Sequence, residues 1–179
     1  ELTEFDKNVR PGVLLNVGET ITKLATAEFV NQTETAQAAI NQIQSDLIEF
    51  KENNELDEVI VLNLASTEPP VDPDSIPDRW DALESTLNDS NCTLPASSLY
   101  AIAALDQGWP FINFTPSLGS CPKAIDELAI TRGTCHIGHD GKTGETFLKS
   151  VLAPAFANRN LEIMSWVGHN IFGNMDGQV

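Results

Sequence analysis

Two short apolar runs, Val59-Ile60-Val61-Leu62 and Phe111-Ile112-Asn113-Phe114, constrain the fold most. Both are too short for helices, and the first lacks the polar alternation of a strand with one wet face. Such a run suits a strand covered on both sides, as in a parallel sheet whose crossovers pack on its two faces. The segments between the strand-like runs have helical character. In residues 33–51, Ala36, Ala39, Ile40, Ile43, Leu47 and Phe50 recur at three- and four-residue spacing, and residues 18–28 carry a similar stripe. Residues 95–107 read as a helix with Pro95 in its first turn and Gly108 as its stop.

The cycle continues toward the C-terminus. Residues 122–131 predict a short helix closed by Gly133, residues 135–137 a strand, 145–157 an amphipathic helix and 161–167 a strand. The proline cluster around Pro69-Pro70-Val71-Asp72-Pro73 makes residues 69–80 a surface loop. Strands separated by helix-length crossovers place the chain in the α/β class with a mostly parallel sheet. No GxGxxG turn occurs, so the usual phosphate-binding opening of a dinucleotide fold is missing. The chain reads as a fragment of a longer polypeptide.

Charge narrows the choice of partner. Ten Lys and Arg against 26 Asp and Glu give a formal net charge of −16. Nucleic acid and anionic lipid both need a basic footprint, so neither is an expected partner, and no apolar run reaches the length of a membrane span. Three cysteines without a CxxC pair read as reduced, packed thiols in a cytoplasmic protein. His136, His139 and His169 have no ligand spacing, and no metal site is expected.

Two segments carry chemistry. Gly138-His139-Asp140-Gly141-Lys142-Thr143-Gly144-Glu145-Thr146 lies between a predicted strand and a helix, where small residues and a helix start favour an anion. Lys142 adds a full positive charge. Lys149 follows seven residues later on nearly the same helical face, so two cations could meet a phosphorylated substrate and its developing oxyanion. Two solvated surface lysines would have the same spacing. A P-loop is not matched, because its first glycine position holds His136. The second segment, residues 169–177, follows a predicted strand, and its Asn170, Asn174 and Asp176 could supply amides and a carboxylate or simply form a turn.

Together these stretches resemble the myo-inositol-1-phosphate synthase family. The likeness runs through Val59-Ile60-Val61-Leu62 with Ala65-Ser66-Thr67-Glu68, and through Ile112-Asn113-Phe114-Thr115-Pro116-Ser117. It continues in the DxKxG segment around Lys142, and in Asn170-Ile171-Phe172-Gly173-Asn174-Met175-Asp176-Gly177. It reaches from about Arg10 to the C-terminus. The resemblance implies the later part of a Rossmann-like NAD-binding domain over residues 1–118. Residues 119–179 would begin an α+β catalytic and oligomerisation domain.

The resemblance also implies an NAD-dependent, redox-neutral isomerase turning glucose 6-phosphate into inositol phosphate, in a cytoplasmic homotetramer. Lys142 and Lys149 match active-site lysines of the family. Asp140, Asn170, Asn174 and Asp176 would position the sugar, its phosphate or those lysines. Ser66 and Thr67 would line the cofactor, with Asn113 nearby. Many members carry Asn at the position of Ser66 and Lys at that of Phe147. A non-catalytic NAD-binding or oligomerisation module and a sugar-phosphate oxidoreductase are the alternatives.

Overall fold

A computed structural model describes residues 8–15, 22–23, 25, 30–31, 33–65, 68–139 and 144–166. Its helices follow from local sequence signals. Helix α1, Ala36–Asn53, starts where the Thr35 hydroxyl accepts the Ala38 N–H at 3.2 Å, an N-cap that satisfies one orphan donor. Ala36, Ala39, Ile40 and Ile43 bury the stripe read in the sequence. Helix α2, Trp80–Thr86, is short and buries Leu83. Helix α3, Ala96–Asp106, buries every residue except Tyr100 and Asp106, the mark of a helix packed on all sides. Helix α4, Lys123–Arg132, ends at Gly133, whose φ of 68° is the left-handed conformation that suits glycine at this position. Helix α5 spans Gly144–Ala157.

Among the described residues, five short strands form two parallel sheets. Strand β1, Gly12–Val13, pairs with β2, Val30–Asn31. Strands β3, Val61–Asn63, β4, Phe111–Asn113, and β5, His136–Ile137, lie in chain order with β4 central. Their register sets Phe111 between Val61 and His136, and Ile112 between Leu62 and Ile137. Successive β4 side chains alternate faces, so Phe111 and Asn113 point one way and Ile112 the other. The core lies on the Phe111 side. There α3 packs on β3 and β4, α1 and α4 pack on α3, and α2 packs on α4.

The opposite face departs from the expectation of strands buried on both sides. Leu62 is 49% exposed and Ile137 67%, and Ile60, Leu64 and Phe114 are exposed as well. Residues 60, 62 and 64 share that face by alternation, and no described helix packs against it. Hydrophobic runs therefore identified the strands but not the covering of their second face. Two further expectations change. The segment 69–80 contains a one-turn 3-10 helix at Pro73–Ser75 and runs into α2. Residues 161–166 form no strand, because no neighbouring strand offers them a ladder among the described residues. The predicted helix over 18–28 lies largely outside the described residues.

Candidate dinucleotide site

All three strands of the larger sheet run the same way, so the chain after β3, β4 and β5 leaves from one edge. Open parallel sheets bind ligands in the crevice outside that carboxyl edge. Asn113, at the end of the central strand and 2% exposed, organises it. Its Oδ1 accepts from Asn63 Nδ2 at 3.1 Å, from the Thr115 N–H at 3.2 Å and from Thr115 Oγ1 at 2.8 Å. Its Nδ2 donates to the Ser117 carbonyl at 2.7 Å. Thr115 and Ser117 are buried, and the Ser117 N–H donates back to Thr115 Oγ1 at 3.2 Å. A short polar loop after a buried strand keeps its donors satisfied this way, as burial demands.

Two glycines make room for this side chain. A Cβ on Gly119, which sits at φ 50°, would overlap Asn113 Nδ2. One on Gly138, at φ 137°, would overlap the Asn113 backbone oxygen. The loop after β4 is thereby clamped between β5's exit and the start of α3. There the Ser98 hydroxyl donates to the Gly119 carbonyl at 2.7 Å, and the Gly119 N–H donates to Ser97 Oγ at 3.1 Å.

Glu68 draws the loop after β3 into the same arrangement. Its N–H donates to Ser117 Oγ at 3.0 Å, and its Oε1 accepts the Ser97 N–H at 2.9 Å. Its Oε2 is buried and has no hydrogen-bond partner. After β5, His139 Nδ1 lies 3.3 Å from Cys121 Sγ. Burial raises the Cys121 thiol pKa above its ordinary value, which opposes thiolate formation. All three cysteines are free, and no group of three or more potential metal ligands occurs among the described residues.

Of the expected site residues, Asn113 stands at the hub of this edge and Lys149 lies exposed on α5. Ser66, Thr67, Asp140, Lys142, Asn170, Asn174 and Asp176 lie outside the described residues. Asn63, Ser97, Gly119 and the second oxygen of Glu68 were not singled out by sequence reasoning. A local signal existed for Asn63 alone, a polar residue closing an apolar run. The others meet through contacts spanning 22 to 49 residues.

The arrangement offers the carboxyl edge of a parallel sheet, the place where open α/β sheets bind ligands. The family described as myo-inositol-1-phosphate synthase, an NAD-binding family, matches residues 11–164. The chain belongs to this family.

Individual relatives agree with the myo-inositol-1-phosphate synthase assignment. Inositol-3-phosphate synthase 1 of Bacteroides thetaiotaomicron is 34% identical, covering 86% of this chain and 37% of the relative. Inositol-3-phosphate synthase 1 of Oryza sativa subsp. japonica is 35% identical, covering 80% and 28%. The crystal structure of inositol-3-phosphate synthase from Caenorhabditis elegans superposes with a TM-score of 0.71. That superposition covers 84% of this chain and 30% of the solved one, at 23% identity, and speaks for the fold. The chain thus spans little more than a third of the relatives' length at most.

Proposed function

We propose that this chain is part of a redox-neutral isomerase that converts glucose 6-phosphate to inositol phosphate with NAD. The reading rests on the family match over residues 11–164, joined to a parallel-sheet edge with an organised polar loop. NAD, when bound, accepts a hydride from the sugar and later returns it to the ring ketone.

The chain's own residues have separate tasks. Asn113 acts through the loop it holds, because its Oδ1 and Nδ2 are engaged by Asn63, Thr115 and Ser117. Ser66 and Thr67, between β3 and Glu68 in the chain, line the cofactor. Lys142 and Lys149 place ammonium groups at the oxyanions that develop when the ketone enolises and the carbon chain closes, and one of them holds the phosphate. Asp140, Asn170, Asn174 and Asp176 orient those lysines and the sugar hydroxyls. Residues 1–118 serve the cofactor and residues 119–179 open the catalytic and oligomerisation part of a cytoplasmic homotetramer. Roles in phospholipid precursor supply follow from an inositol phosphate product.

Phosphorus NMR of the intact protein with glucose 6-phosphate and NAD tests this. An inositol phosphate resonance without net NADH, lost in Lys142→Ala, is the expected result. Net NADH accumulation would make the protein a sugar-phosphate oxidoreductase instead.

A further inference from the structure

We infer that Asn63 is a positioning residue of the cofactor site: without touching the dinucleotide, its side-chain amide sets the loop after β3, which carries Ser66 and Thr67, at a fixed spacing from the loop after β4. The inference rests on the NAD reading given above. It starts from the end of β3, where Asn63 is half-buried and pairs in register with Asn113. The backbone ladder is already closed there, because the Phe114 N–H donates to the Asn63 carbonyl at 3.0 Å. The side chain is therefore not needed to join the strands. Its bonds run forward into the loops. Nδ2 donates to Asn113 Oδ1 at 3.1 Å and reaches Thr115 Oγ1 at 3.4 Å, and Oδ1 accepts the Ala65 N–H at 3.3 Å. Donating to one loop while accepting from another requires a side chain with both functions. An amide has both, whereas a carboxylate only accepts and an apolar group does neither.

The segment after Asn63 is held at two points. Ala65 is fixed by Asn63 Oδ1, and three residues on the Glu68 N–H donates to Ser117 Oγ at 3.0 Å. Ser117 belongs to the same hub, since its carbonyl accepts Asn113 Nδ2 at 2.7 Å. Ser66 and Thr67 are the two residues between these anchors, each one peptide link from a held amide. A trans peptide spaces neighbouring Cα atoms about 3.8 Å apart, so anchors this close leave little slack. A backbone set beforehand favours binding, because ordering a loop on association costs affinity. Loss of the Asn63 anchor frees the leading end of the segment.

The test uses the full-length protein and NADH, titrated by fluorescence of the bound cofactor well below the melting temperature. Asn63→Leu removes both bonds at a similar side-chain size. Asn113 Oδ1 keeps its Thr115 donors, and Ala65 is exposed, so its N–H can turn to water and the loss of stability should be modest. Gly133→Ala is the control, since it strains a positive-φ position on the amino side of β5, away from this edge. We expect the NADH Kd of Asn63→Leu to rise about tenfold, near 1.4 kcal/mol, and that of Gly133→Ala to match wild type at a comparable drop in melting temperature. An unchanged Kd in Asn63→Leu, or an equal rise in both variants, overturns the positioning role. A wild type that binds no NADH overturns the NAD reading itself. Should Asn63→Leu not fold, amide hydrogen exchange of the cofactor-free wild type decides. The Ala65 and Glu68 amides are expected to exchange at least about tenfold more slowly than in the unfolded chain. Free exchange at these amides would show that Asn63 does not set the loop, and overturns the inference.

Discussion

Asn63 and Asn113 close neighbouring parallel strands at the same register position, and Asn63 Nδ2 donates to Asn113 Oδ1 at 3.1 Å. The pair marks where the apolar sheet ends and the polar edge begins. Asn63 Oδ1 also accepts the Ala65 N–H at 3.3 Å, so each asparagine starts the loop that follows its own strand. One side-chain pair thus sets the spacing of two loops that would flank a bound cofactor.

Asn113→Ala tests that dependence. It removes the acceptor of Asn63 Nδ2 and of two Thr115 donors, and the donor to the Ser117 carbonyl. Leaving buried groups unpaired costs about 1–3 kcal/mol each, with partial relaxation between neighbours. We expect a loss of roughly 3 kcal/mol in urea denaturation with an unchanged m-value. Asn113→Asp keeps an acceptor but turns a carboxylate oxygen toward the Ser117 carbonyl, and should fall between wild type and Ala. A loss below about 1 kcal/mol in Asn113→Ala would show that the loops do not depend on this side chain.

Gly119 and Gly133 separate backbone strain from steric overlap. Both have positive φ, 50° and 68°. An added Cβ at Gly133 meets nothing within 4 Å, whereas at Gly119 it overlaps the Asn113 amide. Gly133→Ala should cost about 1 kcal/mol, the conformational penalty alone. Gly119→Ala should cost roughly 3 kcal/mol, because a buried, fully engaged asparagine has to move. Thermal unfolding of the two variants side by side gives the comparison, and equal losses would place the penalty in the backbone.

Much of the helical frame was legible in the sequence, because its signals are local. Pro95 and Gly108 bracket α3, Gly133 closes α4, and the stripe from Ala36 to Ile43 names the buried face of α1. Helix α2 carried too little signal: it spans 7 residues, has no side-chain N-cap and buries only Leu83. The burial of β3 was misread because an apolar run reports that a residue can be covered, not that a neighbour covers it. Site residues were named chiefly through the family resemblance: alone, the Ser66-Thr67-Glu68 stretch reads as an ordinary loop, and Asn113 as part of a strand. The Glu68–Ser97 and Asn63–Asn113 contacts depend on the crossover topology that brings distant segments together.

The two faces of the sheet should respond differently to truncation. Phe111 is fully buried in the core under α3, and Phe111→Ala should cost about 3–5 kcal/mol through lost burial and a cavity. Ile137, 67% exposed on the other face, should lose less than about 1 kcal/mol as Ile137→Ala in this 179-residue chain. Urea denaturation of both variants measures the difference. A cost at Ile137 approaching that at Phe111 would mean that the second face is covered in solution, by a further copy or by chain packed over it.

The sole tyrosine gives a pH dependence that can be followed directly. Burial raises the Tyr100 phenol above its ordinary pKa, opposed by a hydrogen bond with the Val13 backbone, while Asp46 adds a smaller upward push. Below about pH 10 the phenol is neutral in both folded and unfolded chains, so its contribution to stability is complete. Above that value the unfolded chain releases the proton first. The folded state then binds more protons than the unfolded one, and stability falls as pH climbs toward the folded pKa. Phenolate absorbance should therefore titrate above the ordinary tyrosine value in the folded chain and return to it in urea. Tyr100→Phe should remove this part of the alkaline loss while weakening the tie between β1 and α3. A folded-state midpoint at or below the ordinary value would mean that the Val13 bond, rather than burial, governs the group.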